Sequence, residues 1–105
     1  MSKKKVRENF RNEVFERDKY TCKKCKRKLP EEQLDAHHIV DRHLMPNGGY
    51  VKENGITLCK DKCHMLAEKF HISGGAEWTD GMHPNDLYKM IGSSYELAVE
   101  KSNEL

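Results

Sequence analysis

Apolar side chains near the N-terminus recur every three to four residues, which is the period of a helix that buries one face. The positions concerned are Val6, Phe10, Val14 and Phe15. They predict an amphipathic helix over about residues 6–18. Three of the five residues before it are lysine, so residues 1–5 predict a disordered basic arm.

The middle of the chain has the pattern strand, loop, strand, helix. Residues 34–40 and 56–58 are short strand candidates, and the turn sequence Pro-Asn-Gly-Gly at 46–49 lies between them. Residues 61–70 carry apolar positions at helical spacing and predict a second helix, whereas residues 20–30 predict a loop. Together these elements predict a small α+β fold.

The C-terminal part, residues 71–105, predicts a helical extension. Helices are expected over residues 84–91 and 94–102, after a glycine-rich loop. Ser93 is the expected N-cap of the last helix, and Glu96 three residues later would complete a capping box.

Composition indicates one small domain that needs extra stabilisation. The chain has 105 residues, of which 34% are charged and 36% hydrophobic, so its core is modest and a structural metal is a typical staple. No apolar stretch approaches the roughly 20 residues of a membrane span, and no signal peptide follows the N-terminal lysines. We therefore expect a soluble, cytoplasmic protein with no membrane partner. It should be a monomer, because no heptad pattern is present.

Positive charge is concentrated at the N-terminal end. Residues 1–28 contain twelve Lys or Arg against four Asp or Glu, a balance of +8, so the remaining residues carry −6 of the total of +2. A basic segment beside a metal site is typical of a protein that handles a polyanion. The alternative is a solubilising tail followed by a lysine-rich knuckle.

Four cysteines form two closely spaced pairs, Cys22 with Cys25 and Cys59 with Cys63. Zinc knuckles place two to four residues between paired ligands, and cytoplasmic thiols stay reduced, so the pairs predict one structural zinc site. His64, five residues after Cys59, is an alternative to Cys63 as the fourth ligand. A thiol redox protein is a weaker alternative, since no βαβ redox motif is present.

Three histidines accompany the cysteine pairs. His37 and His38 are adjacent between the two pairs, and His64 follows the last cysteine. Histidine binds catalytic metals and accepts protons near neutral pH, so these positions indicate a catalytic or metal site. Neighbouring strand residues point to opposite faces, so both can serve one site only where the strand ends or bends. Three further histidines have no such spacing and are predicted to lie on the surface: His43, His71 and His83.

These residues together resemble the HNH endonuclease motif in its four-cysteine form. The similar segments are His37-His38-Ile39, the Gly48-Gly49 turn, Asn54 through Cys59, and Cys63-His64, preceded by Val14 through Cys25. The family has a ββα-metal architecture, in which a hairpin and a helix hold a divalent ion against DNA. The resemblance implies an HNH domain over residues 6–70, with residues 71–105 as its C-terminal extension, as in small members of the family from phages and bacteria.

The resemblance also implies roles for individual residues. His38 would be the general base that activates water, and His37 and His64 would bind the catalytic ion. Asn54 would brace the loop that orients the base. The ion is expected to be Mg²⁺ or Mn²⁺, although two histidines also suit Ni²⁺, Co²⁺ or Zn²⁺. The implied reaction is hydrolysis of phosphodiester bonds, leaving 5′-phosphate and 3′-hydroxyl ends.

Double-stranded DNA is the expected partner, and a packaging or restriction protein is a candidate second partner. Arg42 is a candidate for holding the scissile phosphate. The lysine-rich knuckle is a candidate for contacts with the DNA backbone: Lys23, Lys24, Lys26, Arg27 and Lys28. The alternative function is a non-catalytic, zinc-stabilised module that binds nucleic acid through the basic N-terminal region.

Overall fold

The structure, a computed structural model, describes residues 2–105. Within this range it has four α-helices and one two-stranded antiparallel sheet. In chain order the elements are α1 (Lys3–Arg17), β1 (Leu34–His38), β2 (Gly55–Cys59), α2 (Cys63–Ile72), α3 (Pro84–Met90) and α4 (Tyr95–Asn103). The predicted α+β fold, with a strand–loop–strand–helix core and flanking helices, is confirmed. No helix within residues 2–105 is long and apolar enough to cross a membrane.

The first strand is shorter than predicted. It ends at His38, which pairs with Gly55 of β2. Beyond that point the backbone N–H and C=O of Val40 bind the side chain of Asn54 and not a neighbouring strand. The chain therefore leaves the sheet directly after the two adjacent histidines.

The first helix begins earlier than predicted. The structure differs from the prediction of a disordered arm over residues 1–5, because Lys3–Lys5 form the first turn of α1. The hydroxyl of Ser2 accepts a hydrogen bond from the amide of Lys5 at 3.2 Å and so caps the helix. Met1 lies outside the described residues. The helical spacing brings Lys3 and Arg7 onto one face of an ordered element.

α1 packs directly on the sheet at a glycine. A Cβ atom added to Gly55 would lie 2.5 Å from Cγ2 of Val14 and 2.7 Å from the ring of Phe10. Only a residue without a side chain permits this approach. The end of α1 is tied to β2 as well, because the buried carboxylate of Asp18 accepts a hydrogen bond from the amide of Thr57 at 3.0 Å.

The C-terminal helices complete the core on the other side. Leu87 and Tyr88 of α3 and Ala98 of α4 are buried in one apolar cluster with Ile39 and Ile56. These apolar contacts place residues from the C-terminal extension in the same core as the sheet. The extension is therefore needed to bury part of the sheet's apolar surface.

The caps of these helices differ from the prediction. Ser94, and not Ser93, is the N-cap of α4, and its hydroxyl accepts from the amide of Leu97 at 3.1 Å. Ser93 instead donates to the carbonyl of Glu53 at 2.8 Å. A capping box is present at α3, formed by His83 and Asp86.

Candidate metal centres and active site

The four cysteines meet beside the start of α2. Their sulfur atoms all lie within 4.8 Å of one another, and those of Cys25 and Cys59 are 3.9 Å apart. Ligands bound to one tetrahedral zinc ion would be about 3.8 Å apart. The amide of Cys63 points at the sulfur of Cys59 at 3.3 Å. The predicted cluster fits a structural zinc site.

The charge of this cluster supports the same conclusion. Burial and the neighbouring sulfurs raise the pKa of Cys63. Burial also opposes ionisation of Cys25, but hydrogen bonds, chiefly from Arg27, lower its pKa to about 6. Four thiolates this close together, three of them buried, would need a compensating cation, which zinc would supply. His64 is not part of this cluster, so Cys63 and not His64 completes the cysteine set.

A second group of metal-binding side chains consists of His37, His64 and Glu68. β1 supplies His37, and the first two turns of α2 supply the other two residues. The carboxylate oxygen Oε1 of Glu68 lies 3.3 Å from Nδ1 of His37 and 3.0 Å from Nε2 of His64. Two imidazoles and a carboxylate suit a divalent ion. Nδ1 of His37 is buried and faces this carboxylate.

The protonation of these groups favours metal binding. Burial lowers the pKa of His37, so its imidazole is neutral at physiological pH. Contact with His37 lowers the pKa of Glu68 to about 2, so its carboxylate is ionised. Neutral imidazole and ionised carboxylate are the forms that bind metals.

Asp35 holds the ring of His64 from the side opposite Glu68. Its Oδ2 lies 2.7 Å from Nδ1 of His64. A proton on Nδ1 leaves Nε2 free to bind an ion, which is the arrangement of a carboxylate–histidine–metal triad. Asp35 and His37 are two residues apart on β1 and therefore share a face of the strand.

His38 lies on the opposite face of β1 from His37, as expected for neighbouring strand residues. Its ring stacks on Phe10 at 4.5 Å between centroids, and the edge of Tyr50 packs against it at 4.8 Å. Burial lowers the pKa of His38 to about 4, so the ring is neutral near pH 7. Its Nε2 has no hydrogen-bond partner among residues 2–105.

Because β1 ends at His38, both histidines reach one open cleft of about 370 Å³. Its lining includes His37, His38, Asp41, Arg42, His43, His64, Glu68 and His71. His71 was predicted to be a surface residue, but the structure places it here. Its Nε2 donates to the carbonyl of His38 at 2.9 Å, and its ring stacks on that of His37 at 5.1 Å. His71 therefore supports both adjacent histidines.

Asn54 fastens the loop that follows His38. Its side chain is fully buried. Oδ1 accepts from the amide of Val40 at 3.1 Å and from the hydroxyl of Tyr88 at 2.7 Å, and Nδ2 donates to the carbonyls of Val40 and Gly49. Gly49 has φ +65°, and a Cβ there would lie 2.7 Å from Nδ2 of Asn54. The glycine thus lets the loop approach the amide closely.

The candidate DNA-binding residues fall in two places. Arg42 lines the histidine cleft. Among residues 2–105, none of residues 23–28 lines that cleft. The amide of Lys23 donates to the carbonyl of Thr57, and Arg27 binds both Asp61 and the sulfur of Cys25. The other members of the knuckle are exposed: Lys24, Lys26 and Lys28.

Sequence reasoning did not select Asp35, Glu68 or His71. A signal was available for each of them. Glu68 is four residues after His64 on a predicted helix, and Asp35 is two residues before His37 on a predicted strand, so both share a face with a candidate ligand. His71 lies seven residues after His64, which is again one helix face.

Comparison with known proteins agrees with this geometry. The family model described as HNH endonuclease matches residues 22–70, which include both cysteine pairs, His37, His38, Asn54 and His64. No curated protein and no solved structure matches the chain. Residues 22–70 of this chain are therefore similar to the HNH endonuclease family.

Proposed function

We propose that this protein is a metal-dependent DNA endonuclease. The observation that carries the proposal is the cleft in which two histidines and a carboxylate converge beside His38, a neutral imidazole with an unpaired nitrogen. Metal ligands next to a neutral base are what hydrolysis of a phosphodiester requires. The family match over residues 22–70 supports the same reaction class.

His37 and His64 would hold the divalent ion, and Glu68 would be the third protein ligand. When bound, the ion supplies positive charge for the phosphate oxygens and the departing 3′-oxygen. Mg²⁺ or Mn²⁺ is the proposed ion, with Ni²⁺, Co²⁺ or Zn²⁺ also suited to two imidazoles. The structural zinc would remain in the cysteine cluster, outside the reaction.

His38 would take a proton from the attacking water. Its ring is fixed between Phe10 and Tyr50, so the orientation of the base is set before substrate arrives. Arg42, at the edge of the same cleft, would hold the scissile phosphate through its guanidinium group. Asn54 would act on the base through the loop it binds. The products would carry 5′-phosphate and 3′-hydroxyl ends.

A plasmid cleavage assay tests this proposal. Purified protein is incubated with supercoiled DNA in Mg²⁺, Mn²⁺, Ni²⁺ or EDTA, beside the His38→Ala variant. We expect metal-dependent conversion to nicked or linear DNA, reduced to background in the variant. Zinc content and circular dichroism of the variant should match those of the unmodified protein.

Two outcomes contradict the proposal. Binding of DNA without cleavage in any of these metals favours the non-catalytic zinc module. Unchanged cleavage by a folded His38→Ala variant removes His38 from the role of base.

A further inference from the structure

A second open cleft, of about 350 Å³, adjoins the histidine cleft and is bordered by basic side chains. Lys3 and Arg7 of α1 form one wall, and Arg42, His43 and Tyr50 form the other. The first wall exists because the N-terminal residues are helical: Lys3 and Arg7, four residues apart, point from the same face.

The arginines of this cleft differ from the others in having no acidic partner. Arg11, Arg17 and Arg27 form ion pairs with Glu31, Asp18 and Asp61. Among residues 2–105, no carboxylate lies within ion-pair distance of Arg7 or Arg42. Two guanidinium groups without an acidic partner on one concave surface suit the binding of an anion.

Both arginines converge on the hydroxyl of Tyr50. Nη1 of Arg42 lies 3.4 Å from this oxygen. Burial opposes ionisation of the phenol, but hydrogen bonds from Arg42 and Arg7 outweigh it and lower the pKa of Tyr50. The guanidinium groups of Arg7 and Arg42 therefore place positive potential beside this hydroxyl.

The basic cleft is continuous with the candidate active site. Arg42 and His43 line both clefts. Tyr50, which also lines the basic cleft, packs its ring against that of His38, with 4.8 Å between the ring centroids. A polyanionic strand whose phosphate lies at His38 would continue along Arg42 into the basic cleft.

We propose that Lys3 and Arg7, which line the same cleft as Arg42, bind the backbone phosphates of the DNA strand that flank the scissile phosphate. This inference rests on the proposed function for its substrate. It assigns the main backbone contacts to α1 and the loop after β1, and not to the lysine-rich knuckle at residues 23–28. The knuckle lies beside the zinc site, and its Arg27 is already bound to Asp61 and Cys25.

Fluorescence anisotropy with a short labelled DNA duplex tests the proposal. Binding is measured without added divalent ion, so that cleavage does not interfere, at several salt concentrations. The test protein carries Lys3→Gln and Arg7→Gln together. Arg11→Gln is the matched control, because it removes a guanidinium from the same helix, where Arg11 pairs with Glu31. A second double variant, Lys26→Gln with Lys28→Gln, measures how much the lysine-rich knuckle contributes to DNA binding.

We expect the Lys3, Arg7 double variant to bind about tenfold more weakly or worse at moderate salt. The slope of log affinity against log salt should fall by about two, since each phosphate contact contributes roughly 0.9. Arg11→Gln should bind like the unmodified protein. Unchanged affinity and slope in the double variant, with the loss found instead in the knuckle variant, would overturn the proposal.

The result is separable from the test of catalysis. If the unmodified protein cleaves plasmid DNA but the double variant binds DNA normally, only the assignment of the basic cleft is overturned. If the double variant loses DNA binding but the unmodified protein cleaves no DNA, the assignment of the basic cleft is supported and only the proposed nuclease activity is overturned. Both substituted side chains are exposed or near the helix start, so unchanged thermal melting should accompany the binding defect.

Discussion

The hydroxyl of Tyr88 donates a 2.7 Å hydrogen bond to Oδ1 of Asn54, and both side chains are buried. The bond joins α3 to the loop that follows the candidate base, because the same Oδ1 also accepts from the amide of Val40. The C-terminal extension thus contacts the loop after the candidate base through a buried polar group. Tyr88 would be a positioning residue in this arrangement, acting through Asn54.

Removing that hydroxyl should weaken both stability and turnover. For Tyr88→Phe we expect about 1 kcal/mol less stability, the usual net value of one hydrogen bond. Because Asn54 holds the loop after His38, kcat should also fall about fivefold while KM for DNA stays constant. Urea unfolding and cleavage kinetics measure the two effects.

Tyr95→Phe is the control for Tyr88→Phe, because the side chain of Tyr95 is 47% exposed. An equal fall in kcat in both variants, or an increase in KM alone for Tyr88→Phe, would show that the Tyr88 hydroxyl does not position the base.

Alkaline pH should reduce stability through Tyr88. Burial raises the pKa of this phenol above its usual value of 10, and nearby Tyr95 and Glu96 raise it further. The unfolded chain therefore loses the proton first as pH rises. Above about pH 10 the stability should decline by up to about 1.4 kcal/mol per pH unit from this group. The decline should be shallower in Tyr88→Phe, as thermal melting between pH 9 and 11 would reveal.

Asp35 should control the affinity for the catalytic ion. Asp35→Asn keeps the shape of the side chain but removes the charge that faces Nδ1 of His64. We expect the affinity for Mn²⁺ to fall about 10- to 100-fold, as for other groups that support a ligating histidine. Titration calorimetry of the zinc-loaded protein measures this affinity.

The control for Asp35 is Glu32→Gln, which removes the same charge from an exposed residue just before β1. Zinc content should be unchanged in both variants. Equal Mn²⁺ affinity in Asp35→Asn and Glu32→Gln would mean that the contact with His64 has no role in metal binding.

Removal of zinc should unfold the domain. The cysteine cluster links the loop after α1, the end of β2 and the start of α2. In a chain of 105 residues with a modest core, such a metal typically supplies much of the folding free energy. We expect strong chelation at neutral pH to abolish the near-UV circular dichroism signal. Persistence of that signal after zinc loss has been verified by metal analysis would contradict this expectation.

The ββα core could be predicted because its signals are local. The cysteine pairs, the glycine turn and the apolar runs each lie within a few residues, and the two strands and α2 appear where these patterns place them. The helical start at Lys3 could not be predicted in this way. The lysine run has no apolar period, and its helical state depends on the Ser2 cap and on continuity with the apolar face of α1.

The candidate site was predictable only as far as its residue types were distinctive. His37, His38 and His64 stand out by their positions beside the cysteine pairs. Glu68 and Asp35 do not, because a single carboxylate on a helix or strand is normally a solvated surface charge. Their proximity to His64 is a property of the pairing of β1 with β2 and of the docking of α2. These contacts depend on the tertiary structure and cannot be predicted from local sequence patterns.

The HNH match ends at Phe70, but the folded unit does not. Met82, Leu87 and Ala98 fill the core under β2, and Asn47 of the active-site loop donates to the carbonyl of Ser102 in α4 at 3.0 Å. The segment that matches the HNH family model and the folded unit therefore have different boundaries in this protein. Anyone who grafts residues 22–70 into another scaffold would have to provide a replacement for α3 and α4, since the motif alone would leave an open core and an unanchored loop.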